Sequence, residues 1–371
     1  MNIMEPGYNK PARGLAQKLH MDLPLLTGLL LLSAVGFVVL YSAGGQNEGL
    51  LLRHAMRLAL GFGLMLMVAQ VPPQRLQEAA PWLYGAALIM LAAVPLVGDQ
   101  AKGAQRWLDL GVIRFQPSEL MKLALPLLLA RYLGRRRLPP GARRVLVCGA
   151  MIVIPVALIA KQPDLGTAVL IAGAGLFVLL LSGIRWWIIA GSALLAAVAT
   201  PLLWHFLHDY QRTRLLIFLN PESDPLGAGY HITQSTIAIG SGGFTGKGWL
   251  NGTQSYLDFI PERTTDFVFA VYSEEFGLIG VLLLLALFTS VIARGLYIAL
   301  RAPDHFTRLL AGSLTLSFSL YIFVNISMVS GLMPVVGVPL PLISYGGTAL
   351  VTLMASFGML MAIHTHPRKL V

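Results

Sequence analysis

Apolar runs long enough to cross a bilayer recur from Leu23 almost to the end of this sequence, and they restrict its fold more than any motif does. Hydrocarbon offers the backbone no water, so a chain can span it only as helices or as a closed barrel. The runs lie at Leu23–Ala43 and at 54–71, 81–98, 118–133, 145–161, 165–183, 186–207, 266–298, 307–330 and 343–363. Most approach the ~20 residues of a spanning helix and far exceed the ~10 of a spanning strand. Only 12% of residues are charged, against about 25% in soluble domains. The pattern predicts an all-α polytopic membrane protein of about ten transmembrane helices, a single integral-membrane domain over residues 1–371.

A net charge of +10 would suit nucleic acid if the basic residues lined one solvated face. They gather instead between the apolar runs, which marks topology and contact with anionic membrane lipid and argues against a nucleic-acid partner. With ten spans, four basic groups share one side: Lys10, Arg13 and Lys18; Arg135, Arg136, Arg137, Arg143 and Arg144; Arg294, Arg301 and Arg308; and Arg368 with Lys369. That side is the cytoplasm, so both termini are expected there. The loop Gly98–Pro117 and the long polar loop at about 209–265 are then external. The first run exceeds the ~7–15 apolar residues of a cleaved signal peptide and is expected to be retained. The single Cys148 lies in an apolar run and reads as a small buried hydrophobe.

One stretch concentrates chemistry: GTQSYLDFIPERTTDFVFAVYSEEFGLIG, from Gly252 to Gly280, where Glu262, Asp266, Glu274 and Glu275 stand at the start of a span. An ionised carboxylate in hydrocarbon costs about 2.5–3.5 kcal/mol on insertion scales, so one is retained there for a partner or a task. Two readings of Asp266 stay open. Capped by Thr264 or Thr265, it would sit in a first helical turn and suit the helix dipole; alternatively it is a chemical group. Glu274 lies about 12 Å deeper and escapes the dipole reading. The stretch from Asp266 to Arg301 would make ~54 Å of helix against ~30 Å of hydrocarbon, so it must tilt, project or bend, with Gly277 and Gly280 as candidate hinges.

Pro117 and Glu119 suit the first turn of the span they open. Glu119 and Lys122 share a face at three-residue spacing, where they can pair or hold a polar ligand. Asp164 is a plausible helix cap. The piece from Gly240 to Gly248 fails the Walker spacing, because Ser241 and Gly248 occupy required positions, and is expected to be a flexible loop. Its backbone amides and Lys247 remain available for an anion. His205, His208 and His231 lack zinc-like spacing. Several polar helix starts converging on one face describe an enzyme or transporter with a polar, phosphate-bearing substrate.

At these residues the chain resembles the SEDS family (shape, elongation, division and sporulation). The resemblance covers nearly the whole length: GAQRWLDLG with FQPSE in the first large loop, PDLG before the sixth span, GTQS and PERTTDF before the eighth, and PLISYGGT at Pro341–Thr348. Its version of these motifs favours the elongation branch over the division branch. The resemblance implies a peptidoglycan glycosyltransferase of the bacterial cytoplasmic membrane, polymerising lipid II on the outer face during cell elongation. It also implies a class B penicillin-binding protein as transpeptidase partner, beside other elongation-complex membrane proteins. The family's essential acidic position falls on Asp266, which would serve as general base. Its Trp and Glu positions fall on Trp107 and Glu119, and Lys122 and Asp164 match polar positions of its cavity. Lys122, Arg106, Arg212, Arg214 and Lys247 are candidates to hold the substrate diphosphate, with a divalent cation such as Mg2+ or Mn2+ as a further candidate. Two other classes remain as alternatives. One is a flippase of lipid-linked precursors, with Glu274 and Glu275 on its path, and the other is a non-catalytic membrane scaffold for wall synthesis.

The distribution of arginine predicts that a reporter fused near Arg137 reads cytoplasmic and one near Gly242 reads external. Both reading the same side would contradict the ten-span arrangement.

Overall fold

The computed structural model describes residues 19–366 apart from 102–103, 110–113, 136–137, 189, 192–197, 199–211, 214–215, 219, 221–223, 225–226 and 257–261. Its helices are α1 (Leu23–Ala43), α2 (Glu48–Ala69), α3 (Pro73–Val97), α4 (Pro117–Gly134), α5 (Ala142–Lys161) and α6 (Leu165–Leu181), followed by α7 (Ala228–Ser241), the single turn α8 (Thr253–Tyr256), α9 (Val268–Leu300), α10 (His305–Val329) and α11 (Thr348–Thr365). Every predicted apolar run except 186–207 corresponds to one of these helices; 186–207 falls mostly outside the described residues, as do Arg136, Arg137, His205 and His208. Among the described residues, α1, α2, α3, α5, α9, α10 and α11 are long and apolar enough to cross a membrane. Among the described residues two shorter or more polar helices join them: α6, of 17 residues, and α4, interrupted by Glu119, Lys122 and Arg131.

Local chemistry sets the helix starts. Asp22 caps α1 by accepting from the Leu25 amide, Asn47 caps α2 through Leu50, and Asp304 forms a capping box with Thr307 at α10. These bonds satisfy amides that the first turn leaves unpaired. α10 is the central post. It packs against α4, α6 and α9, with further contacts to α7 and α11, and α11 lies along α2. Ser313 on α10 donates to the Ala174 carbonyl of α6 at 2.9 Å, one of the few polar ties inside the bundle. At one end the Arg294 guanidinium grips buried Asp22 through both carboxylate oxygens, at 3.0 and 2.7 Å, locking α9 to the start of α1.

The loop between α3 and α4 is not purely irregular, as an all-α reading would have it. It folds into a small antiparallel sheet of β1 (Asp99–Ala101), β2 (Ala104–Asp109) and β3 (Arg114–Phe115), in that order. Gln100 pairs with Gln105, and Leu108 with Phe115. Strands this short carry too little periodicity to be read from sequence.

The overlong span bends where expected. Gly277 interrupts α9 with φ 61° and ψ −163°. A break inside a membrane helix strands backbone groups that hydrocarbon cannot satisfy. Here the glycine-rich segment after α7 supplies them. The amides of Lys247 and Gly248 donate to the Glu274 and Glu275 carbonyls, both at 3.0 Å, while the Leu278 and Ile279 amides donate to the Gly243 and Phe244 carbonyls at 2.9 and 3.1 Å. The segment expected to be a flexible loop is thus a backbone clasp, and the amides of Gly242, Gly243, Gly246, Lys247 and Gly248 are spent on protein carbonyls. Lys247 completes it by pairing with buried Glu274 at 2.7 Å. Glu274 also accepts from the Thr253 hydroxyl and the Gln254 amide, each at 3.0 Å. Buried Glu275 accepts from Ser42 of α1. Both glutamates therefore fasten helices together.

Gly277 holds a conformation that costs any other residue about 1–3 kcal/mol, and a Cβ there would collide with the Gly246 amide nitrogen and press on Phe244. Gly277→Ala is expected to destabilise the fold by about 2–4 kcal/mol from strain and overpacking together. The check is the thermal unfolding midpoint of the detergent-solubilised protein; an unchanged midpoint would contradict the clasp.

Candidate active site

Asp266 is not in a helical first turn. α9 begins at Val268, its N-cap Phe267 makes no side-chain cap bond, and no acidic residue stands in the first turn. Thr265, expected as a cap, instead donates its hydroxyl to the Glu262 carbonyl and carboxylate at 3.2 and 3.0 Å. The reason is a tight turn at 262–267, in which the Thr265 and Phe267 amides both return to the Glu262 carbonyl. The dipole reading of Asp266 thereby loses its structural basis.

The turn is held from outside by two elements. Asn325, fully buried in α10, donates from one amide nitrogen to the Asp266 carbonyl at 2.9 Å and to the Val338 carbonyl at 2.7 Å. The PLISYGGT segment holds the other side: Ser344 donates to the Thr265 carbonyl at 2.5 Å, and the Tyr345 amide to the Thr264 carbonyl at 2.8 Å. Gly337, at φ 71°, faces the Asp266 carboxylate so closely that an added Cβ would stand 3.4 Å from Oδ2. The backbone at Asp266 is thus fixed by groups distant in sequence, and its carboxylate faces Gly337.

Asp266 lines a cavity of about 650 Å³, within the usual ~300–1,000 Å³ of ligand sites. Arg106 and Trp107 reach it from β2, Glu119 and Lys122 from α4, Asp164 from the start of α6, Tyr321 from α10, and Glu262 and Tyr345 from the flanking turns. Glu119 and Lys122 form a buried ion pair at 2.8 Å, with the Lys122 ammonium 5.2 Å from the Tyr321 ring centre. Asp164 does two things. It caps α6 through the Thr167 amide at 3.1 Å, and it accepts from Gln116 at 3.1 Å, with Arg106 at 3.8 Å. Arg106 also donates to the Gln162 carbonyl at 3.2 Å and to the Pro163 carbonyl. Much of its hydrogen-bonding capacity therefore holds the loop before α6.

Of the residues singled out in the sequence, Asp266, Trp107, Glu119, Lys122, Arg106 and Asp164 come together here. Lys247 does not: it is engaged at the α9 clasp. Arg212 is not among the lining residues, and Arg214 lies outside the described ones. Glu274 and Glu275 do not line the cavity either. Asn325, Gly337, Tyr321 and Tyr345 were not anticipated, although an asparagine in the middle of an apolar span is a signal available in the sequence. No group of three or more His, Cys, Asp or Glu is placed to hold a metal among the described residues. Ligands for a divalent ion would come largely from a bound diphosphate. His231, on α7, packs near Phe267 with ring centres 6.1 Å apart, and burial pushes its imidazole below the ordinary value against the opposing pull of Asp224 and Glu262.

Comparison with known proteins agrees over the whole bundle. A family model described as "Cell cycle protein", covering FtsW, RodA and SpoVE, matches residues 18–369. The peptidoglycan glycosyltransferase MrdB of Escherichia coli K12 is 54% identical over 354 residues, which cover 95% of this chain and 96% of that protein. MrdB of Helicobacter pylori J99 is 37% identical, over 92% of this chain and 89% of its own. Among solved structures, a chain from a peptidoglycan synthase complex that coordinates polymerization and crosslinking superimposes with a TM-score of 0.82 at 34% identity, covering 92% of this chain and 97% of that one. RodA of Thermus thermophilus superimposes at 0.70 with 31% identity, covering 92% and 96%. The chain belongs to the FtsW/RodA/SpoVE family, the SEDS family that its motifs resemble.

Proposed function

We propose that this cavity is the active site of a peptidoglycan glycosyltransferase that polymerises lipid II, with Asp266 as its general base. The chain is a multi-pass protein of the bacterial inner membrane, and MrdB of Escherichia coli, 54% identical to it, is a peptidoglycan glycosyltransferase. One observation carries the assignment within the fold: the Asp266 carboxylate lies outside any helical turn, in the wall of a polar cavity, on a backbone braced by Asn325 and Ser344.

The chemistry follows from that placement. A sugar hydroxyl of one lipid-linked saccharide attacks the anomeric carbon of another, whose bond to the lipid diphosphate breaks with its electron pair leaving on oxygen. Asp266 takes the hydroxyl proton as oxocarbenium character develops. A single displacement inverts the anomeric centre. Lys122 contributes positive charge at the cavity wall, and Glu119 holds it in place. Trp107 presents an amphipathic ring suited to packing on a sugar face. Apolar helix surfaces beside the cavity keep the polyprenyl tails in lipid, which accounts for a glycosyltransferase built within a membrane. About ten spans, cytoplasmic termini and an external face for the cavity complete the reading. A class B penicillin-binding protein is the proposed partner, a reading supported by the similarity to a synthase complex that joins polymerization to crosslinking.

Asp266→Asn preserves size and removes the proton acceptor. Loss of general-base catalysis typically costs about 10²–10⁴ in rate, so the folded variant is expected to show that loss in single-turnover synthesis from purified lipid II. Asp266→Glu should recover little, because about 1 Å of displacement spoils the alignment. A near-normal rate for the Asn variant would reassign the base to Glu119 or Glu262. Asn325→Ala is expected to lower the rate by about 10–100-fold without abolishing folding, through misplacement of the turn; an unaltered rate would deny Asn325 its positioning role.

A further inference from the structure

The cavity's cations are largely spoken for. Lys122 is paired with Glu119, Arg106 faces Asp164, and exposed Arg114 stands 3.7 Å from Asp109. These pairs leave little net positive charge for a lipid diphosphate, which arrives multiply charged. Among the described residues, positive charge without an acidic partner lies against Tyr345. On α2, Arg53 and Arg57 are four residues apart and share a helix face. Arg53 Nε lies 3.4 Å from the Tyr345 hydroxyl, and the Arg57 guanidinium lies 4.4 Å from the centre of the same ring. Among the described residues neither arginine has an acidic partner. Beside them His54 is fully buried, with both ring nitrogens unpartnered, and its ring lies 6.2 Å from Tyr345.

Arg57 stands about 14 Å along α2 from Glu48, inside a span. An unpaired guanidinium there is unfavourable; a cation–π contact offsets part of that and leaves the charge uncancelled. Tyr345 lines the cavity and contacts both arginines, and its backbone is tied to Thr264, two residues from Asp266. We infer that Arg53 and Arg57, joined to the cavity through Tyr345, which both of them contact, form an anion site for the diphosphate of a polyprenyl-linked substrate. The site deepens the glycosyltransferase reading and rests on it: the arginines supply the net positive charge that the paired residues of the cavity lack. The same guanidinium chemistry would accept a phospholipid head group, so the lipid source is the variable to test.

The experiment uses the full chain in nanodiscs with and without phosphatidylglycerol, as wild type, Arg57→Gln, Arg57→Lys and the Arg53→Gln/Arg57→Gln double variant. Two readouts are taken: binding of undecaprenyl diphosphate by native mass spectrometry, and the lipid II dependence of polymerisation. Arg57→Gln is expected to weaken diphosphate binding and raise KM at least about tenfold with kcat within about threefold, and Arg57→Lys to fall between it and wild type. Both effects should be independent of phosphatidylglycerol. Unchanged binding and KM in the folded double variant, a fall in kcat alone, or a defect present only in phosphatidylglycerol discs would each overturn the site. Binding needs no turnover, so a wild-type chain that binds diphosphate through these arginines yet makes no polymer would sink the enzymatic reading and leave the anion site standing. If the glutamine variants fail to fold, Arg57→Lys carries the test: diphosphate binding equal to wild type would overturn the fork geometry that distinguishes arginine from lysine.

Discussion

A polar group held among apolar helices must be partnered, and the break in α9 at Gly277 is where this constraint acts most strongly. Four backbone hydrogen bonds between residues 243–248 and 274–279 close that break. The Lys247–Glu274 pair stitches the same two segments through their side chains. Without that closure the break would expose amides and carbonyls at a depth where each costs several kcal/mol. The consequence runs toward the chemistry. The short helical piece between Val268 and Gly277 is entirely buried apart from Phe276, and Asp266 stands two residues before it, next to its N-cap Phe267. The break and clasp thus fix the segment that carries the carboxylate while the rest of α9 runs on through the bundle.

The same rule organises the cavity. Glu119 with Lys122, Asp164 with Gln116 and Arg106, and Asn325 with two carbonyls are each partnered in place. Buried pairs of this kind contribute little net stability, since desolvation offsets most of the attraction. Their value here is positional: the Asp164 and Asn325 contacts join elements far apart in sequence around one space, and the Glu119–Lys122 pair fixes two side chains of α4 at its wall. Lys122 and Arg106 are paired in the walls, and on the proposed reading the arginines of α2 supply the positive charge that a diphosphate requires. Glu274 and Glu275, which would have lined a translocation path in a flippase, are committed to Lys247 and Ser42 in the packed interior.

Sequence reasoning reaches what is local. Run length and hydropathy locate the helices, the overlong span calls for a tilt, a projection or a bend with Gly277 among two candidate hinges, and short-range chemistry points to the Asp164 cap and the Glu119–Lys122 pair at three-residue spacing. It fails where partners are distant. Lys247 reads as a loop cation free to bind an anion, because its partner Glu274 is 27 residues away and no local pattern brings the two segments together. Thr265 reads as a cap, because Ser344 is 79 residues away and the intervening chain gives no sign that it will hold the turn open. Asn325 bonds to a carbonyl 59 residues distant, and only its polarity within an apolar helix hints at a role. The short strands of the first large loop are set by pairing with each other rather than by periodicity.

The account stands on Asp266 meeting the attacking hydroxyl inside this cavity. The most direct measurement is a structure of the full chain in a lipid nanodisc with two lipid II molecules, one of them an analogue whose anomeric bond cannot break. The account predicts the acceptor hydroxyl within about 2.6–3.2 Å of an Asp266 carboxylate oxygen, the reach general-base transfer requires, with the reacting sugars in the space walled by Trp107, Glu119 and Lys122. Saccharides bound elsewhere, or seated in the cavity with the hydroxyl turned toward another carboxylate, would contradict it.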